Sequence, residues 1–106
     1  MIEADVLAAV RLRCAALGWH MWRNNVGVLV DATGRPLRYG LANDSKALNT
    51  VLKSGDLIGW DRVGRFVSIE CKAPNGRVHP AQENWRALVC ATGGRALIVR
   101  DARELT

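Results

Sequence analysis

Two apolar-rich runs, Asp56-Leu57-Ile58-Gly59-Trp60 and Phe66-Val67-Ser68-Ile69-Glu70-Cys71-Lys72, stand either side of the polar segment Asp61-Arg62-Val63-Gly64-Arg65. Branched and aromatic residues in the runs, with a glycine between them, predict a β-hairpin. If the turn centres on Val63, Asp56 stands directly opposite Glu70 on one face, with Cβ atoms roughly 4.5–5.5 Å apart. Two ionised carboxylates at about 5 Å repel by roughly 3 kcal/mol at an effective dielectric near 20. A hairpin shaped by stability alone would avoid that pair. A divalent cation between the acids reverses the sign, and oxygen donors suit Mg2+ or Mn2+. Lys72, two residues beyond Glu70, shares its face, whereas Cys71 points to the other. Two acids and a lysine on one face can hold a metal, orient a water and stabilise charge developing on a phosphate. The same spacing also suits a plain salt-bridge cluster on a half-exposed sheet.

The rest of the chain supplies elements around this hairpin. Glu3, Leu7, Val10, Cys14 and Leu17 step by four and three, the spacing of one helical face, and Gly18 follows as a stop. Residues 20–25 read as extended, and Val26 to Leu41 as a second hairpin turning between Asp31 and Pro36. A short helix is expected between Asp44 and Lys53, capped by Asp44 or Ser45, with Gly55 beyond its end. Pro80 suits the first position of a helix running to about Thr92, with Trp85, Leu88, Val89 and Thr92 as its buried stripe. Gly93-Gly94 end that helix, and Ala96-Leu97-Ile98-Val99 form a last strand, apolar throughout and expected in the sheet interior. The predicted architecture is α/β, helix–strand–hairpin–helix–strand, with a central mixed sheet flanked by helices.

With 106 residues, 49% of them hydrophobic, the chain suffices for one small domain over residues 1–106 and a modest core. Fifteen Lys and Arg against ten Asp and Glu leave a formal charge of +5, which argues for a polyanionic partner. No apolar run approaches a membrane span and no signal pattern opens the chain, so a soluble, cytoplasmic protein is expected. Three cysteines without metal-type spacing fit neither a disulfide framework nor a zinc site.

Two further residues point towards the acidic pair. Glu3 lies on the apolar stripe of the first helix, although an acid there also suits a frayed helix start and its dipole. Gln82 sits one turn before Trp85, where it also fits a capping box with His79 at the N-cap. Together, Ser54-Gly55-Asp56-Leu57-Ile58-Gly59, Ile69-Glu70-Cys71-Lys72-Ala73-Pro74 and Gln82 resemble the PD-(D/E)XK nuclease superfamily. Trp22-Arg23-Asn24-Asn25, Arg38-Tyr39-Gly40 and Asn75-Gly76-Arg77 make the chain most similar to its VRR-NUC branch, the virus-type replication-repair nucleases. The likeness runs from about Glu3 to Arg100.

This resemblance implies a restriction-endonuclease-like core with Asp56, Glu70 and the backbone carbonyl of Cys71 as metal ligands. It implies Lys72 as the catalytic lysine, Gln82 as the family's helix glutamine, and Glu3 as the acid of the first helix. Gly55 departs from the pattern by standing where a proline is usual, and the stretch 42–53 looks longer than the usual connection. Arg23, Asn24, Asn25, Arg38 and Arg77 are candidates for phosphate contacts, which position nucleic acid without reading its sequence; each also suits solvated surface. The four tryptophans can serve either to stack on unpaired bases or to fill the core; Trp60 and Trp85 are expected in the core, while Trp19 and Trp22 are open to either reading. His20 and His79 lack metal-ligand spacing, although His79 lies near enough to meet a phosphate. Cys71 is rejected as a nucleophile because alternation turns its thiol away.

The expected activity is Mg2+- or Mn2+-dependent endonucleolytic hydrolysis of DNA, leaving a 3′-hydroxyl and a 5′-phosphate by resemblance. Branched DNA such as a four-way junction is the expected substrate. A homodimer is expected, with the apolar Val26–Val30 run as candidate contact; that run also suits closure of a sheet edge within a monomer. The alternative function is a nucleic-acid-binding module with the same fold and little turnover. Pure binding would gain from losing two negative charges beside phosphates, so the intact acids argue against it. A phage or prophage origin, and so a bacterial or phage-infected cell, follows from resemblance alone.

Overall fold

A computed structural model describes all 106 residues, and its centre is the hairpin drawn above. In chain order the elements are α1 (Glu3–Ala16), β1 (His20–Arg23), β2 (Gly27–Val30), β3 (Pro36–Tyr39), α2 (Lys46–Val51), β4 (Leu57–Trp60), β5 (Phe66–Cys71), α3 (Pro80–Ala91), β6 (Arg95–Val99) and a closing 3-10 turn, Ala102–Glu104. β4 pairs with β5 in the register Leu57–Ile69 through Trp60–Phe66, as a turn centred on Val63 requires. Gly64 makes that turn possible with φ of 85°, and the buried Asp61 carboxylate accepts hydrogen bonds from the Val63 and Arg65 amides.

The central sheet is mixed, in the order β1-β4-β5-β6, with only β5 and β6 parallel. A parallel pair needs a crossover, and α3 supplies it. The two sides of β5 then diverge. Val67, Ile69 and Cys71 join Val6, Val10 and Cys14 of α1, with Trp19, Leu57, Val99 and Leu105, in one dry core. Ser68 and Glu70 face α3, where Trp85 Nε1 donates to Ser68 Oγ and Gln82 Nε2 to Glu70 Oε1. No helix is long and apolar enough to cross a membrane.

Several expectations change. β6 is an edge strand, not an interior one. Its apolar composition reflects cover on both faces, from α3 on one side and from Leu105 and α1 on the other. α3 buries Ala81 and Val89 and half-buries Trp85, but leaves Leu88 and Thr92 exposed. The helix rests on a narrow strip of sheet, so its buried and half-buried apolar contacts follow the i, i+4 line 81–85–89. Trp60, expected in the core, is exposed, while Trp19 is buried beneath the Arg95 guanidinium, 4.6 Å from its ring. The short helix is tighter than the 44–53 span, and its cap is Ser45, whose Oγ accepts from the Leu48 amide.

The second hairpin closes no edge of the central sheet. β2 and β3 form a two-stranded sheet of their own, with Val28, Leu29, Val30 and Leu37 all exposed. Its base is pinned by the buried Asn43, whose Nδ2 donates to the Gly27 and Tyr39 carbonyls.

Candidate active site

Asp56 immediately precedes β4, and the register beginning at Leu57–Ile69 carries on to set it against Glu70. Asp56 Oδ2 accepts the Cys71 amide at 2.8 Å, which fixes the carboxylate across the strand pair. Glu70 is more enclosed, its side chain 12% exposed. Its Oε1 accepts from Gln82 Nε2 at 2.9 Å and lies 3.6 Å from Lys72 Nζ. Burial, and then the Asp56 charge, push the Glu70 carboxyl up to about 7, against an opposing pull from Lys72. The predicted cross-strand repulsion is therefore present. Cys71, one residue on, sits in the core, and burial before all else raises its thiol to about 12.

Gln82 fills both roles open to it. Its Oε1 accepts the His79 amide, completing a capping box, while Nε2 holds Glu70. His79 Nδ1 accepts from the Ala81 amide, so that ring nitrogen is committed to the helix start. Glu3 stands apart: it is exposed on α1, which packs on the Cys71 side of the sheet. Its charge reaches Glu70 only as a minor push upward, and no third acid, histidine or cysteine completes a metal-holding group with the pair.

A cleft of about 410 Å³ opens beside the acids, and Arg23, Asn24, Asn25 and Arg38 line it as the sequence predicts. Two of them have other tasks. Asn24 donates to Ser54 Oγ and the Gly55 carbonyl and accepts from the Leu41 amide, bracketing the loop ahead of Asp56. Arg38 donates to the Asn43 carbonyl and Oδ1, fastening the β2–β3 hairpin. Arg77 is exposed ahead of α3 and does not line the cleft.

Three residues escaped the sequence reading. Lys53 and Asn49 line the cleft from the 42–53 stretch, so that segment forms one of its walls. The end of this wall is tied to α3 through the Lys53 amide on the Ala81 carbonyl and Asn84 Nδ2 on the Val51 carbonyl. Ser68 is the third: buried between Val67 and Ile69, its Oγ accepts from the Gly55 amide and from Trp85. A lone hydroxyl within an apolar strand was the available signal. The same contacts explain the missing proline. A Cβ at Gly55 would lie 2.7 Å from the Ile69 carbonyl oxygen and from Ser68 Oγ, and proline would remove the donated amide.

The donor set suits a small hard cation. The hydrogen bonds to the acids fall on Asp56 Oδ2 and Glu70 Oε1, leaving one oxygen of each carboxylate without a hydrogen bond, and both residues line the cleft. Mg2+ is commonly held by one or two carboxylates, its other positions taken by water or phosphate.

The site thus joins opposed carboxylates, a lysine beside one of them and a cleft lined by Arg23, Arg38 and Lys53. The sequence comparison then gives the family: the model of the VRR-NUC domain matches residues 40–102, more than half of the chain. The chain belongs to the VRR-NUC family, and a nuclease-type function comes with that membership. The matched stretch takes in Asp56, Glu70, Lys72, Arg77 and Gln82, whereas Glu3, Arg23, Asn24, Asn25 and Arg38 precede it. No curated protein and no solved structure matches the chain significantly.

Proposed function

We propose that the domain is a Mg2+- or Mn2+-dependent endodeoxyribonuclease with a PD-(D/E)XK core, cutting branched DNA such as four-way junctions as a homodimer. The observation that carries the reading is the enclosed Glu70, opposed by Asp56 and gripped by Lys72 and Gln82. Asp56, Glu70 and the Cys71 carbonyl would hold the cation, which supplies Lewis acidity and offsets charge at the scissile phosphate. Gln82 keeps Glu70 in one rotamer by holding Oε1. Lys72 brings its ammonium to the place where negative charge grows as water attacks phosphorus and the bond to the 3′ oxygen breaks. Arg23, Asn25, Arg77 and Lys53 take the flanking phosphates, and Glu3, apart from the cleft, acts on the acids only through its charge. The exposed Val28, Leu29 and Val30 offer the second copy an apolar contact.

Incubation with linear duplex and four-way junction in Mg2+, Mn2+ or EDTA tests each part. Cleavage with either metal and none in EDTA is expected, with the junction cut faster. Binding without cleavage would leave a binding module. Equal cutting of both DNAs would remove the branch selectivity. Sedimentation at a mass near 11.6 kDa would remove the dimer.

A further inference from the structure

The sheet face that carries Glu70 continues past the cleft, and there it is bare. By register, Ile58 and Trp60 of β4 share this face with His20 and Trp22 of β1 and with Phe66, Ser68 and Glu70 of β5. α3 covers only the β5 side, through Trp85 on Ser68 and edge-on to Phe66. Over β1 and β4, Trp22 remains 53% exposed and Trp60 46%. Their rings lie against each other with centroids 5.0 Å apart and planes tilted by 53°, and His20 extends the row 6.0 Å from Trp60. This is a preformed aromatic surface without a partner in the fold.

We propose that the Trp22–Trp60 pair is a stacking platform for unpaired bases of the DNA strand leading away from the cleft. The inference rests on the nuclease activity alone, not on the four-way junction, and narrows branched DNA to forms that carry a single-stranded stretch beside the cut. Continuity selects this occupant, because platform and carboxylates share one sheet face and Trp22 is followed directly by the cleft residue Arg23. Charge selects it too. Arg23 and Lys53 stand at the cleft end, and the exposed Arg65 stands in the turn beyond Trp60. The acid of that turn, Asp61, is buried, holds two backbone amides and lies 3.9 Å from Arg95, so it does not oppose a phosphate there. Trp60 is four extended residues from Asp56, about 13 Å, which matches about four nucleotides at the stacked rise. Every base presents a π face, so such a surface binds without reading sequence.

Fluorescence anisotropy with Ca2+ in place of Mg2+ tests the platform on a duplex bearing a short thymidine flank and on the same duplex with an abasic flank. The two probes keep the same phosphates and differ only in bases. The wild-type chain should bind the thymidine flank at least about fivefold tighter. W22A/W60A should bind the two alike, and W22F/W60F should recover part of the preference. Equal wild-type binding to both flanks overturns the proposal without needing any variant, as does a preference that survives W22A/W60A. A variant that loses self-association but keeps its flank preference would instead assign the patch to a second copy of the chain. Wild-type cleavage in Mg2+ separates the two levels. Cleavage without a base preference sinks the platform alone, whereas neither cleavage nor binding of any probe sinks the nuclease reading as well.

Discussion

Glu70 and Cys71 are neighbours on β5, and burial raises the pKa of both, yet they end in opposite chemical states. The thiol, turned into the core against Val6, Val10 and Cys14, reaches about 12 and stays protonated throughout the working range. The carboxyl, on the other side of the strand, starts from 4.5 where the thiol starts from 9.0, and burial and then Asp56 raise it to about 7 against the pull of Lys72. Burial, helped by the neighbouring charges of Asp56 and Glu70, keeps the thiol neutral and inert. Burial beside a cation and an open cleft leaves the carboxyl poised between two charges.

The contrast breaks most readily at Glu70. Glu70→Gln should lower cleavage by at least about 10³-fold, because a metal ligand is lost, while DNA binding stays equal or tightens with one less negative charge. Turnover like the wild type would end the proposed site. Next in size is the thiol: at pH 8 the raised pKa of Cys71 implies alkylation about 10³-fold slower than for an ordinary thiol, before burial is counted. Mass spectrometry should find label on the exposed Cys90 first, and equal labelling of Cys71 would erase the distinction between the faces. Lys72→Ala should slow turnover by about 10²–10³-fold. A loss under threefold would make Lys72 a packing residue.

The smallest effect is on stability. Folding raises Glu70 from its ordinary 4.5 to about 7, so the protonated acid favours the folded state. Its contribution is complete below about 4.5, declines as pH rises towards 7 and is absent above. In EDTA, Glu70→Gln should therefore melt above the wild type at pH 8, by roughly 4–8 °C per kcal/mol relieved. The two should converge near pH 4.5, and a gap constant with pH would contradict the buried-acid account.

The site was more legible than its surroundings because strand alternation and turn position are local properties. A turn at Val63 fixes the Asp56–Glu70 pairing whatever else the chain does, and His79 with Gln82 marks the start of α3. The failures were questions of coverage. Whether Trp60 is dry depends on how far α3 reaches across the sheet, and whether β6 is interior depends on how many strands lie beyond it. Neither is written in the residues concerned. Asn24 and Arg38 look like surface groups in sequence, and only the fold shows them fastening loops distant in the chain.

Gln82 narrows the choice of residue at its position more than its exposure suggests. Its oxygen receives the His79 amide while its nitrogen serves Glu70, so a flipped amide would lose both bonds at once. Glutamate could receive from His79 but would confront Glu70 with a like charge. Asparagine is one methylene too short to span both partners, and lysine cannot accept. The side chain thus works as a polarised rod: its oxygen end fastens the start of α3, and its nitrogen end aims the acid.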